Sequence, residues 1–170
     1  MISLKHVTIA VALTVSVLFL MGCTGGGSFF MKDKLIVGKD IAMQDITEFY
    51  YTYDASTYPP RFQRYRFSVK DGKHLFYHEK REGKTWPLRE KHITVSGTKE
   101  LSDEEWTKFF ACVKDGIVEK RKEHLEDGDA GPWLFLYWKG DRGKYQEFSF
   151  VHLGARKEFE ELCVTLKDAK

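Results

Sequence analysis

The chain has 170 residues, a formal net charge of +2 and an aromatic content of 15%. The near-neutral charge argues against a nucleic-acid-binding protein, because the domains of such proteins are usually clearly basic. The aromatic content, together with only four prolines, argues against an intrinsically disordered chain. We therefore predict one folded domain with a sizeable core.

The first 22 residues have the pattern of an export signal. A single lysine, Lys5, precedes an almost wholly apolar run over residues 7–21. As a helix this run would span about 22 Å at ~1.5 Å per residue, which is shorter than the ~30 Å of hydrocarbon in a bilayer. The pattern therefore predicts a signal peptide over residues 1–22 and not a transmembrane helix.

The apolar run ends in Leu20, Met21, Gly22 and Cys23. A small residue followed directly by cysteine at this place resembles the lipobox of bacterial lipoproteins, in which alanine or serine is usual where Met21 stands. The resemblance implies cleavage before Cys23 and attachment of diacylglycerol to its thiol, usually with a further acyl chain such as palmitate. The mature protein would then be anchored by lipid in the cell envelope and face outside the cytoplasm, in a Gram-positive or a Gram-negative cell.

The segment after the cysteine predicts a tether. Residues 24–28 are rich in glycine and end in serine, a composition typical of flexible linkers, and residues 29–44 are only weakly patterned. We therefore assign residues 23–44 to the lipidated tether and its lead-in, and residues 45–170 to a single globular domain.

One β-hairpin is clear from the sequence. Apolar and polar residues alternate over residues 64–70, and Asp71 and Gly72 suit the two central positions of a type I′ turn. This turn sets a register in which Phe67 faces Phe76. Further strands are predicted at residues 46–53, 91–97, 133–138 and 145–151, and a break in strand structure at residues 54–60.

Two helices complete the pattern. Ser102 and Glu105 form a capping box ahead of a helical stripe, and a second stripe runs along residues 155–167. The order of elements predicts an α+β fold, an antiparallel β-sheet with two helices packed on one face. A curved sheet of the cystatin-like or nuclear-transport-factor-like kind is the alternative. The predicted stripes consist of Trp106, Phe109, Phe110, Val113 and Ile117 in the first helix and Phe159, Leu162, Cys163 and Leu166 in the second.

Few residues carry the signature of a metal site or of catalysis. His74 and His78 lie on one strand at a spacing of about 13 Å, too far apart to share an ion. The acidic loop at residues 127–131 lacks the ligand spacing of a calcium-binding loop, and no Gly-x-Ser-x-Gly motif is present. We therefore predict no metal, no cofactor and no catalytic residue.

The two remaining cysteines, Cys112 and Cys163, allow two interpretations. In an exported protein they could form one disulfide, because an even number of cysteines remains once Cys23 is lipidated. Alternatively, both are buried free thiols that pack as small apolar residues. Both cysteines lie in or beside the apolar stripe of a predicted helix.

One constellation indicates a binding surface. Aromatic residues and arginines interleave around the double proline at Pro59 and Pro60, and such side chains anchor many protein interfaces. The alternative is a pair of ordinary strands with aromatic residues inside and arginines in solvent. The candidate binding residues are Tyr58, Arg61, Phe62, Arg64 and Arg66, with Tyr58 as the central anchor.

Together these patterns favour a lipid-anchored, non-enzymatic and monomeric domain of the cell envelope. It would bind a protein, a peptide or a glycan, with the membrane as its other partner and no role for nucleic acid. The alternative function is an envelope hydrolase whose active site is dispersed along the chain.

Overall fold

The computed structural model describes residues 34–120, 133–140 and 146–169. Within these ranges, eight β-strands form a single sheet and two α-helices pack against it. This is the predicted α+β fold. The strands are β1 (Lys34–Ile36), β2 (Ile46–Thr57), β3 (Pro60–Lys70), β4 (Lys73–Glu82), β5 (Ile93–Glu100), β6 (Ile117–Lys120), β7 (Trp133–Trp138) and β8 (Gln146–Ser149), and the helices are α1 (Asp103–Val113) and α2 (Leu153–Asp168).

The strands lie in the order β1-β6-β8-β7-β2-β3-β4-β5. Every neighbouring pair is antiparallel, and β5 forms one edge of the sheet. The ladders of β2 and β4 contain register shifts, one of them next to Asp54, where φ is +51°. Such bulges bend a strand and increase its twist, so the sheet is curved.

The predicted hairpin is confirmed in its turn and in its register. Asp71 and Gly72 have φ values of +52° and +75°, as a type I′ turn requires, and Phe67 pairs with Phe76. The hairpin before it turns later than predicted, because β2 continues to Thr57 and the chain reverses at Tyr58 and Pro59.

The capping box of α1 is also confirmed. Ser102 Oγ accepts a hydrogen bond from the Glu105 amide at 3.2 Å, and Glu105 Oε2 accepts one from the Ser102 amide at 2.9 Å. The helix ends at Val113, so Ile117 does not continue its stripe and lies instead in β6. The close contact at Gly116 fits this change of direction, because a Cβ there would lie 2.4 Å from the ring of Phe148.

Both helices cover the same face of the sheet. The ring of Phe49 on β2 contacts Phe109 of α1 at 5.5 Å and Phe159 of α2 at 5.2 Å between centroids. Side chains alternate along a strand, so Tyr51, Tyr65 and Phe67 join Phe49 in this core. We call this side the helix-covered face and the opposite side the outer face.

Residues that the sequence assigns to the lead-in also belong to the globular unit. β1 pairs with β6, and Val37 and Ile41 are fully buried in the core. In the part of the chain that the structure describes, neither helix is long and apolar enough to cross a membrane.

Candidate functional site

The hairpin of β2 and β3 contains all five candidate binding residues and divides them between two faces. Along β3 the even-numbered residues Phe62, Arg64 and Arg66 point to the outer face, whereas Arg61 points to the helix-covered face. Tyr58 lies at the turn between the strands. The candidate residues therefore do not form the single patch that was expected.

Tyr58 is the most exposed large side chain of the hairpin. Its relative exposure is 94%, and its amide donates a hydrogen bond to Ser56 Oγ at 3.2 Å. Arg61, on the other side of the hairpin, forms an ion pair with Asp54 at 3.3 Å. The tip thus presents an aromatic ring to solvent, as the binding hypothesis requires.

Phe62 contradicts the expectation of an exposed patch, because its relative exposure is only 2%. Trp86, from the loop between β4 and β5, stacks on it with 6.1 Å between ring centroids and 14° between planes. The guanidinium groups of Arg64 and Arg81 lie over the same ring at 5.1 and 5.4 Å. Phe62 therefore has a packing role.

A buried charge cluster lies beside Phe62 on the outer face. The carboxylate of Glu79 is 1% exposed and forms ion pairs of 3.0 Å with both Arg64 and Arg81, whose side chains are 16% and 12% exposed. Glu79 Oε2 also accepts a hydrogen bond from the Tyr77 hydroxyl at 2.7 Å. Burial and this bond to Glu79 raise the pKa of Tyr77 to about 12, although Arg81 and Arg64 oppose the shift. Tyr77 is therefore a hydrogen-bond donor at neutral pH.

Arg66 is the most exposed of the three candidate arginines. It lies across from Tyr50 on β2 and Tyr77 on β4, and its guanidinium group is 5.4 Å from the Tyr77 ring centroid. Arg64 lies over the Tyr50 ring at 4.7 Å. Cations and aromatic rings thus alternate across the outer face.

Five buried side-chain polar atoms of the described residues have no hydrogen-bond partner. Three belong to the charge cluster, Arg64 Nε, Arg81 Nε and Glu79 Oε1, the last of which still forms both ion pairs, and the other two are Thr52 Oγ1 and Trp86 Nε1. Nearly all buried polar groups in proteins are paired, so these two atoms are unused hydrogen-bonding capacity close to Arg64 and Phe62. Sequence reasoning missed Thr52, Tyr77 and Glu79, although the register of the hairpin places Tyr77 and Glu79 beside the arginines.

A separate groove lies on the helix-covered face, where the end of α2 approaches β3, β4 and β5. Its volume is about 340 Å³, and its walls include Tyr65, His78 and Val95. The Tyr65 hydroxyl forms a hydrogen bond of 2.7 Å with that of Tyr53, and burial raises the pKa of both tyrosines. Burial lowers the pKa of His78, and the nearby ammonium group of Lys167 adds to this effect. The imidazole is therefore neutral at pH 7.

Both helix cysteines are buried free thiols in the structure, which is the second of the two alternatives. Burial raises the pKa of Cys112 and that of Cys163, so both thiols stay protonated at neutral pH. Such thiols are poor nucleophiles. The predicted lipidation site, Cys23, lies outside the described residues.

Metal-binding geometry is not found among the residues that the structure describes, since no three His, Cys, Asp or Glu side chains converge there. The acidic loop at residues 127–131 lies outside those ranges. Comparisons with protein-family models, with curated proteins and with solved structures give no match for this chain.

Proposed function

We propose that this protein is a lipid-anchored domain of the cell envelope that binds an extracytoplasmic protein, peptide or glycan. The anchor follows from the N-terminal signal and its resemblance to a lipobox. The observation that carries the binding role is the outer face, where Arg66, Tyr77 and Tyr50 lie side by side, together with the exposed ring of Tyr58 at the hairpin tip. Tyrosine and arginine are enriched in the energetically important parts of protein interfaces.

The environments of the two cysteines and of Glu79 favour binding over the alternative function of a hydrolase. A cysteine hydrolase needs a thiolate, and burial raises the pKa of both Cys112 and Cys163. The buried carboxylate of the outer face, Glu79, is held by two guanidinium groups. These groups stabilise the fold and leave the exposed ring of Tyr58 and the exposed guanidinium group of Arg66 for recognition.

The outer face is tested by capture of partners from solubilised envelope extracts. Tyr58→Ala and Arg66→Ala, alone and together, should reduce the amount of the specifically captured partner and leave the melting temperature unchanged, because both side chains are exposed. Arg89→Ala, which removes an exposed arginine from the loop before β5, is the matched control. Equal capture by the double variant and the wild type would refute this surface.

The anchor is tested separately by labelling cells with a radioactive fatty acid. The wild-type chain should take up the label and sediment with membranes, since two or more acyl chains give stable anchoring. Cys23→Ala should lose both properties, whereas Thr24→Ala should keep them. A Cys23→Ala chain that is still cut at the same bond and stays in the membrane would refute the anchor.

A further inference from the structure

The outer edge of β5 offers main-chain hydrogen-bonding groups to a partner. β5 pairs with β4 on one side, and no strand in the described ranges pairs with its other side. An edge strand presents a row of N–H and C=O groups that can pair with an added strand. β5 has eight residues, so several such groups are available.

This edge lacks the usual protection in its central part. Natural sheets shield an edge with charged side chains, proline, bulges or very short strands. Residues 95–98 of β5 read Val-Ser-Gly-Thr, without charge or proline, and the register shift in this ladder lies directly before them, at Thr94. The centre of β5 is therefore open to strand addition.

The groove on the helix-covered face adjoins this edge. Val95 is the residue that β5 contributes to its wall, and its side chain is 50% exposed. Across the groove lie His78 of β4 and Lys167 in the last turn of α2. A strand added to β5 would direct alternate side chains toward this face, so one of them would enter the groove.

The walls of the groove are preformed. Near its last turn, where the groove lies, α2 is held on the sheet by Cys163 and Leu166, which are buried in the core, and at its start Arg156 donates a hydrogen bond to the Tyr51 hydroxyl at 2.9 Å. The imidazole of His78 lies against Gly97, where a Cβ would be 2.7 Å from the imidazole Cε1. Preformed walls reduce the ordering cost of binding.

We propose that β5 binds an extended segment of a partner protein, which adds to the sheet as a further strand and inserts one side chain between β5 and α2. This proposal rests on the proposed binding function and narrows the partner to a protein or peptide, because a glycan has no main chain that can pair with a strand. Main-chain pairing supplies affinity in this mode, and the side-chain pocket supplies specificity.

A second copy of this chain fits the site less well than a foreign peptide. Paired with itself, β5 would bring Val95, Gly97 and Lys99 to the helix-covered face, since these residues share that side. Val95 has a small side chain and Gly97 has none, so neither could fill the groove. The ammonium group of Lys99 would meet a wall that has Lys80 and Lys167 beside the carboxylate of Asp168. Self-pairing would therefore fill the groove poorly.

The test uses the full-length mature protein in detergent micelles and a library of random dodecapeptides displayed on phage. Selected peptides are synthesised, and their affinity is measured by fluorescence polarisation. Val95→Lys places a charge on the edge, as natural edges do, and should weaken binding by about tenfold or more. Val69→Lys, the same change at an exposed valine of β3, is the control and should bind like the wild type.

Backbone methylation of the peptides gives a second measurement that does not depend on folding of the variants. Two forms of each peptide are made, one methylated at the odd-numbered amides and one at the even-numbered amides. One form should lose binding and the other should keep it, because only every second N–H of the added strand faces β5. The proposal would be overturned if no peptide is selected, if both valine variants bind the peptide equally well, or if both methylated forms of the peptide still bind. A dimer in sedimentation that is lost in Val95→Lys would also overturn it in favour of a second copy.

These results can be separated from the test of the outer face. If Tyr58→Ala and Arg66→Ala impair partner capture while Val95→Lys does not impair peptide binding, the proposed function stands and the β5 site fails. The reverse pattern would move the binding role from the outer face to β5.

Discussion

Replacement of Glu79 by glutamine should destabilise the protein strongly. Glu79 is 1% exposed, and Arg64 and Arg81 are 16% and 12% exposed, so all three charges are largely removed from water. Glutamine keeps the shape of the side chain but not its charge. Besides residue 79, Arg81 has one hydrogen-bond acceptor within the described residues, the carbonyl oxygen of Leu88 at 3.4 Å.

The size of the effect follows from burial. Breaking a buried ion pair by removal of one partner costs about 3–5 kcal/mol, because the remaining charge stays desolvated. The matched control is Glu82→Gln, which removes an exposed ion pair with Lys80 at 2.6 Å, and exposed pairs contribute about 0–1 kcal/mol. Urea unfolding at pH 7, followed by circular dichroism, gives both free energies of unfolding.

The comparison between the two variants decides whether the cluster is a structural unit. A loss within about 1 kcal/mol for Glu79→Gln would refute the reasoning, because it would mean that both guanidinium groups find water or another partner at little cost. A triple variant with Arg64→Met, Glu79→Leu and Arg81→Met should recover most of the loss, since apolar residues of similar volume can replace a buried charge cluster.

Three further predictions concern other parts of the fold. The pKa of His78 is lowered in the folded state, so its contribution to stability is present above the unfolded pKa of about 6.5 and is lost as the pH falls through the folded pKa. The urea concentration at half-unfolding should therefore fall between pH 7.5 and 5.5, and it should fall less steeply in His78→Gln. The same pH dependence in the variant and the wild type would contradict this. Ser102→Ala should cost about 1 kcal/mol in the same assay, because the amide of Glu105 loses its cap, and no loss would argue against the capping box. Gly116→Ala should cost about 1–3 kcal/mol through overpacking against Phe148, and thermal unfolding at or above the wild-type temperature would show that the core yields at this point.

Local signals were sufficient for the elements that depend on neighbouring residues. Asp71 and Gly72 set the turn and thereby the register of β3 and β4, and Ser102 and Glu105 set the start of α1. These signals are contained in a few consecutive residues, and no distant contact is needed to satisfy them. The α+β class followed from the order of such elements.

The short strands β1 and β6 could not be predicted. β1 has three residues and β6 has four, too few for a hydrophobic pattern, and Lys34 pairs with Glu119 across the ladder that joins them. β1 pairs only with β6 among the described strands, and β6 lies between β1 and β8. Strands of this kind are decided by tertiary pairing between distant parts of the chain.

For the candidate binding residues, too, some features depend on neighbouring residues and others on distant parts of the chain. Alternation along a strand is a local property, so it would have placed Arg61 on the opposite face from Arg64 and Arg66, which the prediction of a single patch overlooked. Burial of Phe62 depends on Trp86, which reaches it from the loop before β5, and burial of Arg64 depends on Glu79 of the next strand. The sequence by itself thus determined the main hairpin and the fold class, and the lipobox-like signal stays a prediction made from it. Only the tertiary structure decided which rings and cations remain exposed, because exposure is set by neighbours that lie far away along the chain.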